Sequence, residues 1–266
     1  MSDAAVVRHV DSRGVATVTL NRPAVNNAYN AELIDGLHAA LDALAAESSL
    51  RVVVVRGNGR HFQAGADLAW LNAVAQGSRA ENLAASRATA EAIHRLNNTL
   101  VPTVALIQGG CFGGGTGIAA ACDVVIAADD AVFSIAETRW GMVAAIIIPQ
   151  LSDAIGARQV RRYALTGERF DAHEARRIGL VHEVVPLAEL DAAGARVIEH
   201  LLQNAPDANA QTKALAIEHA WGHVSSRNLT RLIEQHAEKR QSAEASEGLA
   251  SFREKRQAAW YPTRSS

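Results

Sequence analysis

Four consecutive valines, Val52 to Val55, constrain the fold of this chain more than any other stretch of it. The run is too short for a helix, and Gly57 and Gly59 end it, so it describes a strand buried in a core. Its neighbours alternate in the same way. Val15, Thr17, Thr19 and Leu20 read as a strand running into the turn Asn21-Arg22-Pro23, and Asn30 is placed to cap a helix in which Leu33, Leu37, Leu41 and Leu44 recur at helical spacing. Further on, the spacing predicts a helical region from Ala80 to Asn98 and a strand from Val104 to Ile107 opened by Pro102. A glycine cluster then leads into a short Ala-rich helix to Ala121, followed by strands at Val124 to Ala127 and Val132 to Ile135.

From about Arg158 the strand signals thin out. Helices are expected at Ala172 to Ile178, Leu187 to Leu202, Asn209 to Ala220, Leu229 to Glu238 and Glu244 to Ala258. The fold class is therefore α/β, with a core over 1–200 and a helical region over 201–266, and no linker rich in Gly, Ser or Pro separates the two. No sequence repeat of fixed period is evident, although the alternation leaves room for a structural one.

With 266 residues, 48% of them hydrophobic, the chain can bury a proper core without staples. A formal charge of −2 and few aromatic residues provide no basic field for a phosphate backbone, so nucleic acid is not an expected partner. Cys111 and Cys122 lack CxxC spacing and read as buried thiols rather than a disulfide or zinc site. No apolar stretch approaches the length of a membrane span, and the opening residues do not read as a signal peptide; the expected compartment is the cytoplasm.

Two loops carry the chemistry. Ala64-Gly65-Ala66-Asp67 and Gly113-Gly114-Gly115 each follow a buried strand and lead into a helix without a bulky side chain, which exposes backbone N–H groups able to hold an oxygen that becomes negative during reaction. The triple glycine serves close packing equally well. Asp67 reads first as a helix cap. Glu137 is the acid best placed for proton transfer, since an apolar setting raises a carboxyl pKa; the competing reading pairs it with Arg139 on a surface loop. His61 and the other histidines show no HExxH clustering and read as structural, so no metal is expected. No GxGxxG, GxxxxGK[ST] or GxSxG motif occurs.

These features resemble the crotonase, or enoyl-CoA hydratase and isomerase, family along nearly the whole chain. The resemblance rests on Val18-Thr19-Leu20-Asn21-Arg22-Pro23 with Asn27-Ala28, Val52 to Gly59, His61-Phe62-Gln63-Ala64-Gly65-Ala66-Asp67-Leu68, Pro102-Thr103-Val104-Ala105 and Phe112-Gly113-Gly114-Gly115. It continues through Ala121-Cys122-Asp123, Phe133, Glu137, Gly141, Ala175 and Gly179-Leu180-Val181. It implies a crotonase-type spiral of ββα units whose helical C-terminal region forms trimers, often paired into hexamers. It also implies an acyl-CoA thioester as substrate, with coenzyme A entering as part of that substrate and no separate cofactor.

By position, the N–H groups of Ala66 and Gly114 would bind the thioester oxygen, and Glu137 would exchange protons with the acyl chain. Ala64, Asp67, Leu68 and Gly113 flank these groups and are assigned to substrate binding. So are Phe252 and Lys255, which align with the C-terminal stretch that reaches a neighbour's CoA in relatives; a solvated helix end is the competing reading.

Two departures bear on the reaction. Gly117 stands where two-glutamate hydratases carry a second acid, which leaves hydration on one carboxylate, double-bond isomerisation, or a thioester-binding role without turnover. After Gly141 the chain runs Ala144-Ala145-Ile146-Ile147-Ile148-Pro149, an apolar wall that, with space expected at Gly117, suggests a branched acyl group. Phe133 to Gly141 and Arg161 to Thr166 are similar to hydratases of 3-branched glutaconyl-CoA thioesters, the methylglutaconyl and isohexenylglutaconyl types. Arg139 is the candidate partner for such a substrate's second carboxylate.

Overall fold

A computed structural model describes residues 4–219 and 242–262. The strands are β1 (Val6–Val10), β2 (Val15–Leu20), β3 (Val52–Gly57), β4 (Gln63–Ala64), β5 (Thr103–Ile107), β6 (Gly110–Phe112), β7 (Val124–Ala128), β8 (Val132–Ser134), β9 (Arg169–Asp171) and β10 (Glu183–Val185). The helices are α1 (Ala31–Ala45), α2 (Leu68–Gln76), α3 (Arg79–Asn97), α4 (Gly114–Ala120), α5 (Ile148–Thr166), α6 (Ala172–Ile178), α7 (Leu190–Gln203), α8 (Pro206–His219) and α9 (Ala243–Glu254).

The valine run explains the layering. Val53 and Val55 enter a core packed with Leu33, Leu37 and Leu41 of α1, while Val52 and Val54 enter a second core with Leu190, Ala193 and Leu202 of α7. A strand whose alternate residues are buried on opposite faces must read as a continuous apolar run. Removing each such valine from water contributes roughly 1.5–3 kcal/mol.

β3 is the third strand of a six-stranded sheet in the order β1-β2-β3-β5-β7-β10, parallel apart from the β1–β2 pair. A smaller sheet has the order β4-β6-β8-β9, with only the β8–β9 pair antiparallel. The structural repeat lies in the pairing of these sheets. β3 and β4, β5 and β6, and β7 and β8 are successive strand pairs, each sending its first strand to the large sheet and its second to the small one, and each followed by helix or a helical turn. The loops that leave β4, β6 and β8 therefore emerge side by side.

Two expectations need correction after Arg158. β9 closes the small sheet and β10 the large one, within a stretch read as helical. Three-residue strands leave too little periodicity to detect. The expected helices also left out α5, which begins at Ile148 and bends at Gly156, whose φ is +73°. The expected helix from Leu229 to Glu238 lies outside the described residues.

Candidate active site

The β4 and β6 strands pair in register, Gln63 with Cys111 and Ala64 with Phe112, so Ala66 and Gly114 each lie two residues beyond a matched pair. Gln63 is fully buried and shapes the first loop: its Oε1 accepts from the Gly65 N–H at 2.9 Å and its Nε2 donates to the Gly65 carbonyl at 3.0 Å. Asn27, also fully buried, accepts from the Arg22 N–H and donates to the carbonyls of Asn58, His61 and Phe62. That bonding gives the Asn21 to Asn27 segment its role, which is to hold the turn against the strand that delivers the loop. His61 Nδ1 accepts from the Gly110 N–H at 2.7 Å and links the two loops' strands, in agreement with its structural reading.

Among the described residues, neither the Ala66 nor the Gly114 N–H finds an acceptor. Both residues line one cleft of about 540 Å³, as do Ala64, Gly65, Leu68 and Gly113. Asp67 does not line it. It caps α2, accepting from the N–H groups of Ala69 and Trp70, and it pairs with Arg22 at 3.4 Å. Its pKa is lowered, chiefly by the Trp70 N–H bond.

Glu137 opens a short 3-10 turn after β8. Thr138 Oγ1 donates to the Ala164 carbonyl of α5, and Ser134 Oγ to the Gly167 carbonyl, which anchors the turn. The Glu137 carboxyl packs on Gly113, where an added Cβ would meet Oε1 at 2.9 Å; with φ at +50°, that position needs glycine on both counts. Oε2 is buried without a hydrogen-bond partner. Burial pushes the Glu137 pKa up, against the lowering effect of its own backbone N–H. An acceptor left unpaired in a cleft that two free N–H groups also line can take up and release a proton.

Arg139 does not fit either expectation. Its side chain lies across Gly167, where an added Cβ would meet Nε at 2.8 Å. It does not line the cleft. Nor does it pair with Glu137, which has turned inward. Gly117 is also corrected: no space is left there, because Ile147 Cγ2 lies 2.2 Å from where its Cβ would stand, with Ile93 behind. The residue is buried and Ile147, not Gly117, faces the cleft. Of the expected wall, Ala144 to Ile147 line the cleft together with Met142 and Val143, whereas Ile148 and Pro149 open α5 and do not line it. Phe252 belongs to α9, and Lys255, exposed with φ at +54°, follows it and does not line this cleft.

Both cysteines are buried, and burial raises their pKa values, that of Cys122 to about 12. Among the described residues no group of three or more His, Cys, Asp or Glu is gathered to hold a metal, and no helix is long and apolar enough to cross a membrane.

Residues not singled out from the sequence complete the cleft. Tyr29 packs edge-on against Trp70 at 5.6 Å and lines the cleft, and α3 contributes Asn82, Ser86 and Thr89. The i, i+4, i+7 spacing of those three polar residues was the signal that could have placed them on one face.

The model of the family described as enoyl-CoA hydratase/isomerase matches residues 11–263. Pseudomonas aeruginosa AtuE is 36% identical with a TM-score of 0.92, covering 97% of this chain and 99% of its own. The 2,3-dehydroadipyl-CoA hydratase of Escherichia coli is 33% identical over 91% of this chain and 93% of its own length. The mitochondrial Delta(3,5)-Delta(2,4)-dienoyl-CoA isomerase of Dictyostelium discoideum is 32% identical over 93% and 87%.

Proposed function

The chain belongs to the enoyl-CoA hydratase/isomerase family and is an enoyl-CoA hydratase-type enzyme; from that premise we propose that it adds water across the 2,3 double bond of a 3-branched glutaconyl-CoA thioester. The isohexenylglutaconyl and methylglutaconyl esters are the intended substrates. The observation that carries the reading is the unpartnered Glu137 Oε2 in a cleft shared with the free N–H groups of Ala66 and Gly114.

In this reading the two N–H groups hold the thioester oxygen. Water gives its proton to the Glu137 carboxylate as its oxygen bonds to C3, and the electron pair of the double bond moves onto the thioester as an enolate. Glu137 then returns the proton to C2, which balances the addition with a single carboxylate. The raised pKa of Glu137 brings proton uptake and release nearer to neutral pH. The apolar face from Met142 to Ile147 takes the hydrophobic branch.

Coenzyme A enters as part of the substrate and no separate cofactor takes part. We also assign the helical region 201–266 to assembly as a trimer or a dimer of trimers in the cytoplasm. α8 buries none of its residues within the chain, as suits a helix whose partner is another subunit.

Incubation with isohexenylglutaconyl-CoA, methylglutaconyl-CoA and crotonyl-CoA, followed by mass-resolved separation, tests the reaction. Gain of one water on a branched ester supports it; preference for crotonyl-CoA defeats the branched-substrate part. A second reading, double-bond isomerisation, has its own observation: Glu137 is the only carboxylate among the described residues lining the cleft. A shifted double bond without added water would select it, and binding without any turnover would leave a thioester-binding protein.

A further inference from the structure

The acyl cleft has two unlike walls. Besides the apolar run Met142 to Ile147, the lining includes Asn82 and Ser86 of helix α3, one turn apart, with the buried Thr89 a turn further along. Thr89 is buried and has spent its hydroxyl hydrogen on the Ala85 carbonyl at 2.9 Å. The side chains of Asn82 and Ser86 are exposed and have no hydrogen-bond partner among the described residues. None of the described residues lining the cleft is Lys, Arg or His. The wall thus offers two neutral donors, an amide NH2 and a hydroxyl, at the mouth of a cleft without a cation.

We propose that Asn82 and Ser86 are specificity-determining residues that together hold a carboxylate at the free end of the acyl group. The inference rests on the glutaconyl reading and supplies what Arg139, lying across Gly167, does not. A carboxylate accepts only, and its two oxygens suit donors spaced one helical turn apart on the same face. Hydrogen bonds to an ionised group are the stronger kind, so neutral donors suffice where no cation is at hand. A substrate with an apolar arm toward Ile147 and a charged arm toward α3 would be seated with its branch point between the walls.

The test measures binding rather than turnover, so it stands or falls apart from the hydration reading. Affinities are determined by calorimetry for the saturated 3-branched glutaryl-CoA and for an analogue in which a methyl group replaces the terminal carboxylate. The wild-type protein should prefer the acid, and Asn82→Leu and Ser86→Ala should each reduce that preference by about tenfold. Asn82→Asp, nearly the same shape but charged, should reverse it. Equal losses on both esters, an unchanged preference in the variants, or no preference in the wild-type protein would each overturn the proposal. A wild-type protein that prefers the acid but never adds water would instead defeat the hydration reading alone.

Discussion

The ring of Tyr29 lies against the Cα of Gly114, close enough that an added Cβ there would meet Cε1 at 2.8 Å. The main chain of the same tyrosine is bonded to the other loop, its N–H donating to the Gly65 carbonyl and its carbonyl accepting from the Asp67 N–H, both at 2.9 Å. One residue therefore spans the gap between Ala66 and Gly114 and sets the separation of their N–H groups. Burial, with Glu137 nearby, pushes its phenol up to about 12, so it stays neutral through the working range.

Tyr29→Phe, which keeps the spacer, should retain kcat/KM within about threefold. Tyr29→Ala should lose on the order of 10²-fold, mainly in kcat, because an oxyanion donor displaced by about 1 Å gives up more of its stabilisation of the transition state than of the ground state. Steady-state kinetics on any ester the protein turns over checks both. Equal losses in the two variants would move the role from the ring to the hydroxyl.

Glu137→Gln should abolish turnover while leaving CoA-ester affinity nearly unchanged, since the amide keeps the shape but carries no proton. It should also stabilise the fold at pH 7. The folded-state pKa of Glu137 is raised, so the folded protein binds the proton more tightly than the unfolded chain and loses stability as pH rises from 4.5 through the raised value. The amide removes that loss. Urea midpoints at pH 4.5 and pH 7 should show a gain over wild type at the higher pH that shrinks at the lower one.

Gly117→Ala should destabilise by about 1–3 kcal/mol, because its Cβ would overlap Ile147 Cγ2. Ile147→Ala in the same chain should recover part of the loss, leaving the pair strongly non-additive in a double-mutant cycle read by urea unfolding. Additive losses would mean that Ile147 does not fill the position.

Such contacts mark the limit of what the sequence discloses. The long buried strands, the Asn30 cap with its bond from the Leu33 N–H, and the buried cysteines were legible because each is a local pattern with one physical cause. The expected Asp67 cap was legible for the same reason. β4, at two residues, is defined only by its partner β6, and no period marks it. The side chain that occupies the Gly117 site comes from thirty residues along the chain, so a missing glutamate was read as space when an isoleucine had taken it. Arg139 and Glu137 are two residues apart and looked like a pair, yet the 3-10 turn sends one inward and the other across Gly167. The family was readable from the order of motifs; which side chains meet across the cleft was not.

His61 should make stability depend on pH. Its Nδ1 accepts from the Gly110 N–H, which requires that nitrogen to be unprotonated, so the folded protein holds the imidazole neutral. Burial lowers its pKa below the ordinary 6.5, Arg60 adds to the effect and Asp130 opposes it. A depressed folded pKa means that the unfolded chain binds the proton first as pH falls. The His61 contribution is thus complete above pH 6.5 and is lost as pH falls from there through the lowered value. His61→Leu leaves the buried Gly110 N–H without its acceptor and should cost about 1–3 kcal/mol at pH 7.5. In urea melts at pH 7.5 and pH 5, the gap between wild type and variant should narrow at the lower pH. A gap of constant width would show that the imidazole is held by packing rather than by its bond to Gly110, and the strand that carries the first loop would then owe its place to Asn27 and to its pairing with β6.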